Sequence, residues 1–194
     1  MNTTGIIILA AGASTRLGEP KQNLLFRGKT LLNHAIDVAI PSDCKPIIAV
    51  TGAATSVIDK GSKTKIHEVN NPDWHKGIAS SISLGVSYLQ EKAPDINEVI
   101  IMVCDQPYVT SILLNQLRSE KHTSGKRIIA SSYQDTLGTP VLFDKFYFNM
   151  LSSLKGEEGA KRIIYQNLAD VSSIRFSEGY IDVDTKEDYK NLLT

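Results

Sequence analysis

The chain has 194 residues, 42% of them hydrophobic and 22% charged, which is enough for one well-buried core and short for two. Its 21 basic and 21 acidic side chains cancel to a formal net charge of zero, so it is not built to coat nucleic acid or an anionic membrane. Cys44 and Cys104 are too few and too far apart for a disulfide framework, and His34, His67, His75 and His122 stand at no metal-ligand spacing with them, which fits a reducing cytoplasm.

Residues 1–4 do not read as a signal peptide, and the first element is an apolar strand over 5–10. It passes straight into Ala10, Ala11, Gly12, Ala13 and Ser14, followed by Arg16, Gly18 and Lys21. Small residues leave backbone N–H groups uncovered, so an anion can approach closely, and the two basic side chains add fixed positive charge. That is the pattern of a phosphate site, with a nucleoside triphosphate as its natural guest. No Lys-Ser or Lys-Thr follows Gly18 and no Gly-x-Gly-x-x-Gly order is present, which disfavours a P-loop ATPase and a dinucleotide dehydrogenase. The duller reading is a Gly-rich turn with two solvated basic side chains. Three small residues, Arg16 four positions after Gly12, and Pro20 fixing the backbone before Lys21 argue against it.

A helix over 31–40 follows, with Leu32, Ala35, Ile36 and Ala39 on one apolar stripe, then strands over 46–51 and 65–69. Asn70, Asn71, Pro72, Asp73, Trp74, His75, Lys76 and Gly77 read as a loop opening a helix over 78–90. There Ser80 or Ser81 could present a hydroxyl or a backbone N–H to a polar base edge. A capped helix start with Trp74 as its packing anchor explains the same residues. The strand over 98–103 holds an apolar run, 99–104, far below the roughly 20 residues that span a bilayer. It leads into Asp105, Gln106 and Pro107. A carboxylate at a strand end can hold Mg²⁺, which takes one or two protein carboxylates plus substrate phosphates; it can also simply cap a turn.

The chain continues with a helix over 111–120, strands over 127–132 and 139–143, helical stretches over 145–154 and 160–166, a strand-like 173–176 and a closing helix from Thr185. Before that last helix stand Asp182 and Asp184. Asp184, with Glu187 three residues on, has the form of an N-cap with its capping partner. Cap and metal ligand are compatible, since one carboxylate oxygen can accept an N–H while the other faces a cation. Strands without alternation, separated by helices, predict an α/β fold whose mainly parallel sheet is covered by helices on both faces. Ligands of such folds collect beyond the carboxyl ends of the strands, where both the loop after Leu9 and the segment after Val103 lie.

Six segments in order, LAAGASTRLGEPK, NNPDWHKGIASSISLGV, VCDQPYV, GTPVLF, GEEGAKRII and IDVDTKEDY, resemble the MobA-like NTP transferases, and within them the molybdenum cofactor cytidylyltransferase branch. The resemblance implies a single nucleotidyltransferase domain with a Rossmann-like, nucleotide-diphospho-sugar transferase (GT-A-like) architecture. Residues 1–110 would then meet the nucleotide and 111–194 the acceptor. It implies that the opening loop wraps the triphosphate and reads the base through Leu9, Ala10, Ala11 and Gly12, with Ser14 in the same loop. Arg16 and Lys21 match the loop's basic pair, and Asp105 matches the aspartate that holds Mg²⁺. Asp184 matches the second metal ligand, with Asp182 as the fallback, and Ser81 matches a serine near the pyrimidine. The double alanine favours CTP over GTP. Thr139 stands where the family often has histidine, and Glu157 and Lys161 where it often has aspartate and arginine. These departures fall in the acceptor half, where Glu157 and Glu158 could simply complement the dipole of the helix entering Ala160.

The reaction so implied joins CMP from CTP to the phosphate of a molybdopterin-type acceptor and releases pyrophosphate, with Mg²⁺ as cofactor. A molybdoenzyme or chaperone client is an expected partner; nucleic acid and membrane are not. Two other functions remain open: cytidylyl or guanylyl transfer to a sugar or polyol phosphate, and non-catalytic carriage of a molybdenum cofactor. A carrier has no need to keep Arg16, Lys21, Asp105 and Asp184 together.

Overall fold

The computed structural model describes residues 3–54 and 58–194, so Met1 and Asn2 of the segment read against a signal peptide lie outside the described residues. In chain order come β1 (Thr4–Ala10), the short strands β2 (Leu25–Phe26) and β3 (Lys29–Thr30), α1 (Leu31–Ala39), β4 (Ile47–Thr51), α2 (Lys60–Lys63), β5 (His67–Asn70) and α3 (Ile78–Lys92). There follow β6 (Glu98–Val103), α4 (Ser111–Ser124), β7 (Ile128–Tyr133), β8 (Thr136–Asp144), α5 (Phe148–Ser152), α6 (Ala160–Gln166), β9 (Val171–Arg175) and α7 (Lys186–Leu192).

One seven-stranded sheet, in the order β5-β4-β1-β6-β8-β7-β9, organises the α/β domain. Strands β5, β4, β1 and β6 are parallel, and β8 alone runs against both its neighbours. The lack of alternation in β1 has its physical cause in double coverage. Ile6 and Ile8 pack with Leu32 and Ile36 of α1 and Leu114 and Leu117 of α4, while Ile7 and Leu9 pack with Ile82 and Val86 of α3 and Ile163 and Ile164 of α6. The stripe expected on α1 lies in the first of these clusters, and Thr30 caps that helix by accepting from the Asn33 N–H. Among the described residues no helix is long and apolar enough to cross a membrane.

Several expectations need correction. The strand expected over 139–143 begins at Thr136 and is the second arm of a hairpin, turned by Gln134 and Asp135 at φ 43° and 59°. A second hairpin, β2–β3, turns at Arg27 and Gly28, with φ 50° and 79°. The helix expected over 145–154 is a 3-10 turn, Lys145–Tyr147, followed by α5, and the strand expected over 173–176 pairs with β7 as Val171–Arg175. A third apolar cluster positions the site: Leu17, Leu24, Phe26 and Leu31 pack with Val183 and Leu192. Fully buried Val183 thereby pins the C-terminal segment against the loop after β1, with Asp182 and Asp184 on either side of it.

Candidate active site

Strands β1 and β6 are neighbours, so their carboxyl ends open side by side, and the Cys104 N–H donates to the Leu9 carbonyl at 3.2 Å. A cleft of about 400 Å³ lies beyond them. Leu9, Ala10, Ala11, Gly12, Ser14, Lys21, Ser81 and Asp105, all expected from sequence, line it together. Arg16 and Asp184 meet beside it, with Arg16 Nη2 2.7 Å from Asp184 Oδ2.

The loop after β1 is held by its own atoms. Ser14, at φ 54°, accepts from the Leu17 and Gly18 N–H groups through its carbonyl and from the Lys21 N–H through its hydroxyl, the last at 3.0 Å. A Cβ on Gly12 would meet nothing within 4 Å. Neither crowding by the protein nor a left-handed backbone therefore requires glycine there, and the main chain at this point is left open to close approach.

Lys21 is the electrostatic centre. Its ammonium hydrogen-bonds Asp105 Oδ2 and lies 2.8 Å from Asp184 Oδ1. Burial disfavours that charge, but the Asp105 and then the Asp184 carboxylate outweigh it and hold the Lys21 pKa above its ordinary value. Burial likewise pulls the Asp184 carboxyl up, and Lys21 and then Arg16 reverse this and hold it below the usual carboxylate value. Asp182 is pushed the other way, first by desolvation and then by the charges of Asp105 and Asp184. Burial pushes the Cys104 thiol up to about 12, so it stays neutral.

Among the described residues no three His, Cys, Asp or Glu side chains gather as a ready metal site. Asp105 Oδ1 is nevertheless buried without a hydrogen-bond partner among the described residues. Asp105 and Asp184, brought together by Lys21, fit a hard cation whose remaining ligands are substrate phosphate oxygens. Asp184 is not the cap that its spacing to Glu187 suggests. Thr185 caps α7 in a capping box with Asp188, and Asp184 turns to Lys21 and Arg16.

Across the cleft, the start of α3 has no side-chain cap. Asn71 Nδ2 donates to both Ser80 Oγ and Ser81 Oγ at 2.9 Å. Trp74 packs against the second core cluster and also lines the cleft beside His75. Gly77 takes φ 95°, and a Cβ there would stand 2.2 Å from the Gly156 carbonyl oxygen, which accepts from the Ala79 N–H. Glu157, next in the chain after Gly156, lines the cleft. Glu158 is engaged locally, with Arg162 and the Lys155 N–H, and Lys161 lies over the Tyr165 ring. The Thr139 hydroxyl donates to Gln106 Oε1, and Gln106 Nε2 donates to the Gly179 carbonyl, tying β8 to the C-terminal segment. Gln22 is a cleft residue that sequence reasoning missed, although it directly follows Lys21, whereas His75 and Glu157 stood inside two of the quoted segments without being assigned to the cleft.

A main-chain loop open to anions, facing carboxylates that share a cation across the carboxyl end of a parallel sheet, suits nucleotidyl transfer. The chain belongs to the MobA-like NTP transferase family, whose domain matches residues 6–171, and is a nucleotidyltransferase. It is 28% identical to nicotine blue oxidoreductase of Paenarthrobacter nicotinovorans, over 96% of this chain and 95% of that one. It is 25% identical to purine catabolism protein PucB of Bacillus subtilis, over 94% and 92%. With the molybdenum cofactor cytidylyltransferase of Escherichia coli K12 it shares 23% identity over 97% and 95%. The crystal structure of Rv0371c from Mycobacterium tuberculosis H37Rv matches with TM-score 0.80 at 28% identity, covering 100% of this chain and 98% of that one. A manganese complex of the same protein matches at 0.76 and 25%, with the same coverage.

Proposed function

We propose that the chain joins CMP from CTP to the phosphate of a molybdopterin-type acceptor, giving a dinucleotide form of the molybdenum cofactor. The observation that carries this reading is the Lys21 ammonium shared by Asp105 and Asp184 in the cleft of the Gly12 loop. An oxygen of the acceptor phosphate attacks the α-phosphorus of CTP, the bond from that phosphorus to the bridging oxygen breaks, and pyrophosphate leaves. An acceptor phosphate is already ionised at neutral pH, so no general base is needed, in keeping with the neutral Cys104 thiol. Lys21 and Arg16 neutralise the triphosphate and the leaving group. Asp105 and Asp184 are the residues that would hold Mg²⁺, which supplies further neutralisation of phosphoryl charge when bound. The main chain from Leu9 to Gly12, with Ser14 and Ser81, holds the nucleotide, and the alanines at 10 and 11 support cytosine over guanine.

Residues 1–110 thus serve mainly the nucleotide and 111–194 mainly the acceptor, with Glu157 reaching across. The balanced charge supports an enzyme that coats neither nucleic acid nor an anionic membrane; the two isolated cysteines support a cytoplasmic setting, and the product would pass to a molybdoenzyme or chaperone client. The test is pyrophosphate release from CTP, GTP and ATP with molybdenum-loaded molybdopterin, with and without Mg²⁺. Release that needs CTP, acceptor and Mg²⁺ together is expected. Release only with sugar or polyol phosphates moves the acceptor, and tight CTP binding with no release in any combination makes the chain a carrier.

A further inference from the structure

The position of Gln22 is unexplained by the fold. It lies in the 3-10 turn Lys21–Asn23, is 1% exposed, and lines the cleft. Its Nε2 has no hydrogen-bond partner among the described residues. Native interiors seldom leave a buried donor unpaired, because it has given up water and gained nothing in return. A leucine or methionine would fill the same space without that penalty. Of the three buried side-chain polar atoms without a partner among the described residues, two are in this cleft: Gln22 Nε2 and Asp105 Oδ1. One is a donor and the other a carboxylate oxygen, so they call for opposite partners, an anionic oxygen and a cation. Gln22 directly follows Lys21, whose N–H is tied to the Ser14 hydroxyl and whose ammonium faces Asp105 and Asp184. Gln22 and Lys21 line the same cleft, together with the Gly12 loop and Asp105.

We propose that Gln22 is a binding residue whose Nε2 donates to a phosphoryl oxygen of the ligand held in this cleft. The proposal rests on the nucleotide reading for its ligand. The oxygen belongs either to the triphosphate of the nucleotide or to the phosphate of the acceptor; both present the same chemistry to an amide donor.

Gln22→Met keeps the length of the side chain and removes the donor, and Gln22→Glu replaces the donor with negative charge. Thermal denaturation is read without ligand and with Mg²⁺ plus CTP, CMP, pyrophosphate or inorganic phosphate, and affinity by calorimetry. Gln22→Met should melt at or above the wild type when unliganded, since an unpaired donor is gone. It should bind Mg²⁺-CTP about tenfold or more weakly, and Gln22→Glu more weakly still. Loss with CTP and pyrophosphate assigns the oxygen to the triphosphate, and loss confined to inorganic phosphate assigns it to the acceptor. Lower unliganded stability of Gln22→Met with unchanged affinity for every ligand overturns the proposal, because the amide would then serve the fold. So does tighter Mg²⁺-dependent binding by Gln22→Glu, because the amide oxygen would then face the ligand. If the wild type binds CTP and the variants bind it and the other ligands equally well, Gln22 fails and the nucleotide reading stands. If the wild type binds pyrophosphate or phosphate but no nucleotide, and Gln22→Met loses that binding, the nucleotide reading fails and Gln22 stands.

Discussion

Replacing Lys21 by methionine removes the ammonium that Asp105 and Asp184 share and leaves their side chains in place. The side chains of Lys21 and Asp105 are 21% and 9% exposed, whereas that of Asp184 is 32% exposed and keeps Arg16. Breaking a buried pair from one side costs about 3–5 kcal/mol. Solvent screening at Asp184 and its second cation bring this to about 2–3 kcal/mol, or about 4–12 °C in Tm for a chain of this size. The pH dependence follows from the shifts. Asp184 is held below its ordinary pKa, so its contribution is present above the unfolded carboxylate value and is lost as pH falls through the folded one. Removing Lys21 shrinks that depression, so wild type and variant should converge as the pH drops below about 4. Lys21 is held above its ordinary value, so its contribution is complete below about pH 10 and is lost only as pH rises through the folded value. The gap should therefore be flat across the neutral range. Circular dichroism melts of both proteins at a series of pH values measure it. A variant as stable as wild type at neutral pH, or a gap that widens in acid, refutes the reasoning. In pyrophosphate release the same variant should lose about 10²–10³-fold.

Three further outcomes are expected. Asp105→Asn should abolish divalent-cation-dependent pyrophosphate release while far-UV circular dichroism stays that of the wild type; collapse of the spectrum would make Asp105 a structural residue. Thr185→Ala removes the capping box and should cost about 1 kcal/mol in urea denaturation, with turnover retained, whereas Asp184→Asn should lose turnover with the cap intact. Gly77→Ala places a Cβ against the Gly156 carbonyl at a positive φ and should destabilise by about 3 kcal/mol or more; a soluble variant with wild-type Tm would contradict the loop contact.

The sheet and one side of the cleft were legible because they depend on local signals. An apolar run, a small-residue loop and a strand-end aspartate are contiguous in sequence, and β1 and β6 bring them together simply by being neighbours. The two hairpins were not legible. Arg27-Gly28 and Gln134-Asp135 both adopt positive φ, but neither is the Asn-Gly pair that announces such a turn. The direction of β8 was hidden for a related reason, since a strand buried on both faces carries no periodicity that reveals its sense. Asp184 was legible as an acid of interest and misleading as a cap, because Thr185 beside it offers the same chemistry one residue later. Glu157 and Gln22 are cleft residues only through tertiary placement, one by the Gly77–Gly156 contact and the other by burial of the turn after Pro20.

The Gly77–Gly156 contact joins the two halves of the chain through main chain alone. The contact itself uses no side chain, so residues 75 and 157, which flank it and line the cleft, take no part in it. Segments from related proteins could be grafted on either bank as long as both glycines are kept, and new ligand preferences could be written there while the scaffold beneath stays unchanged.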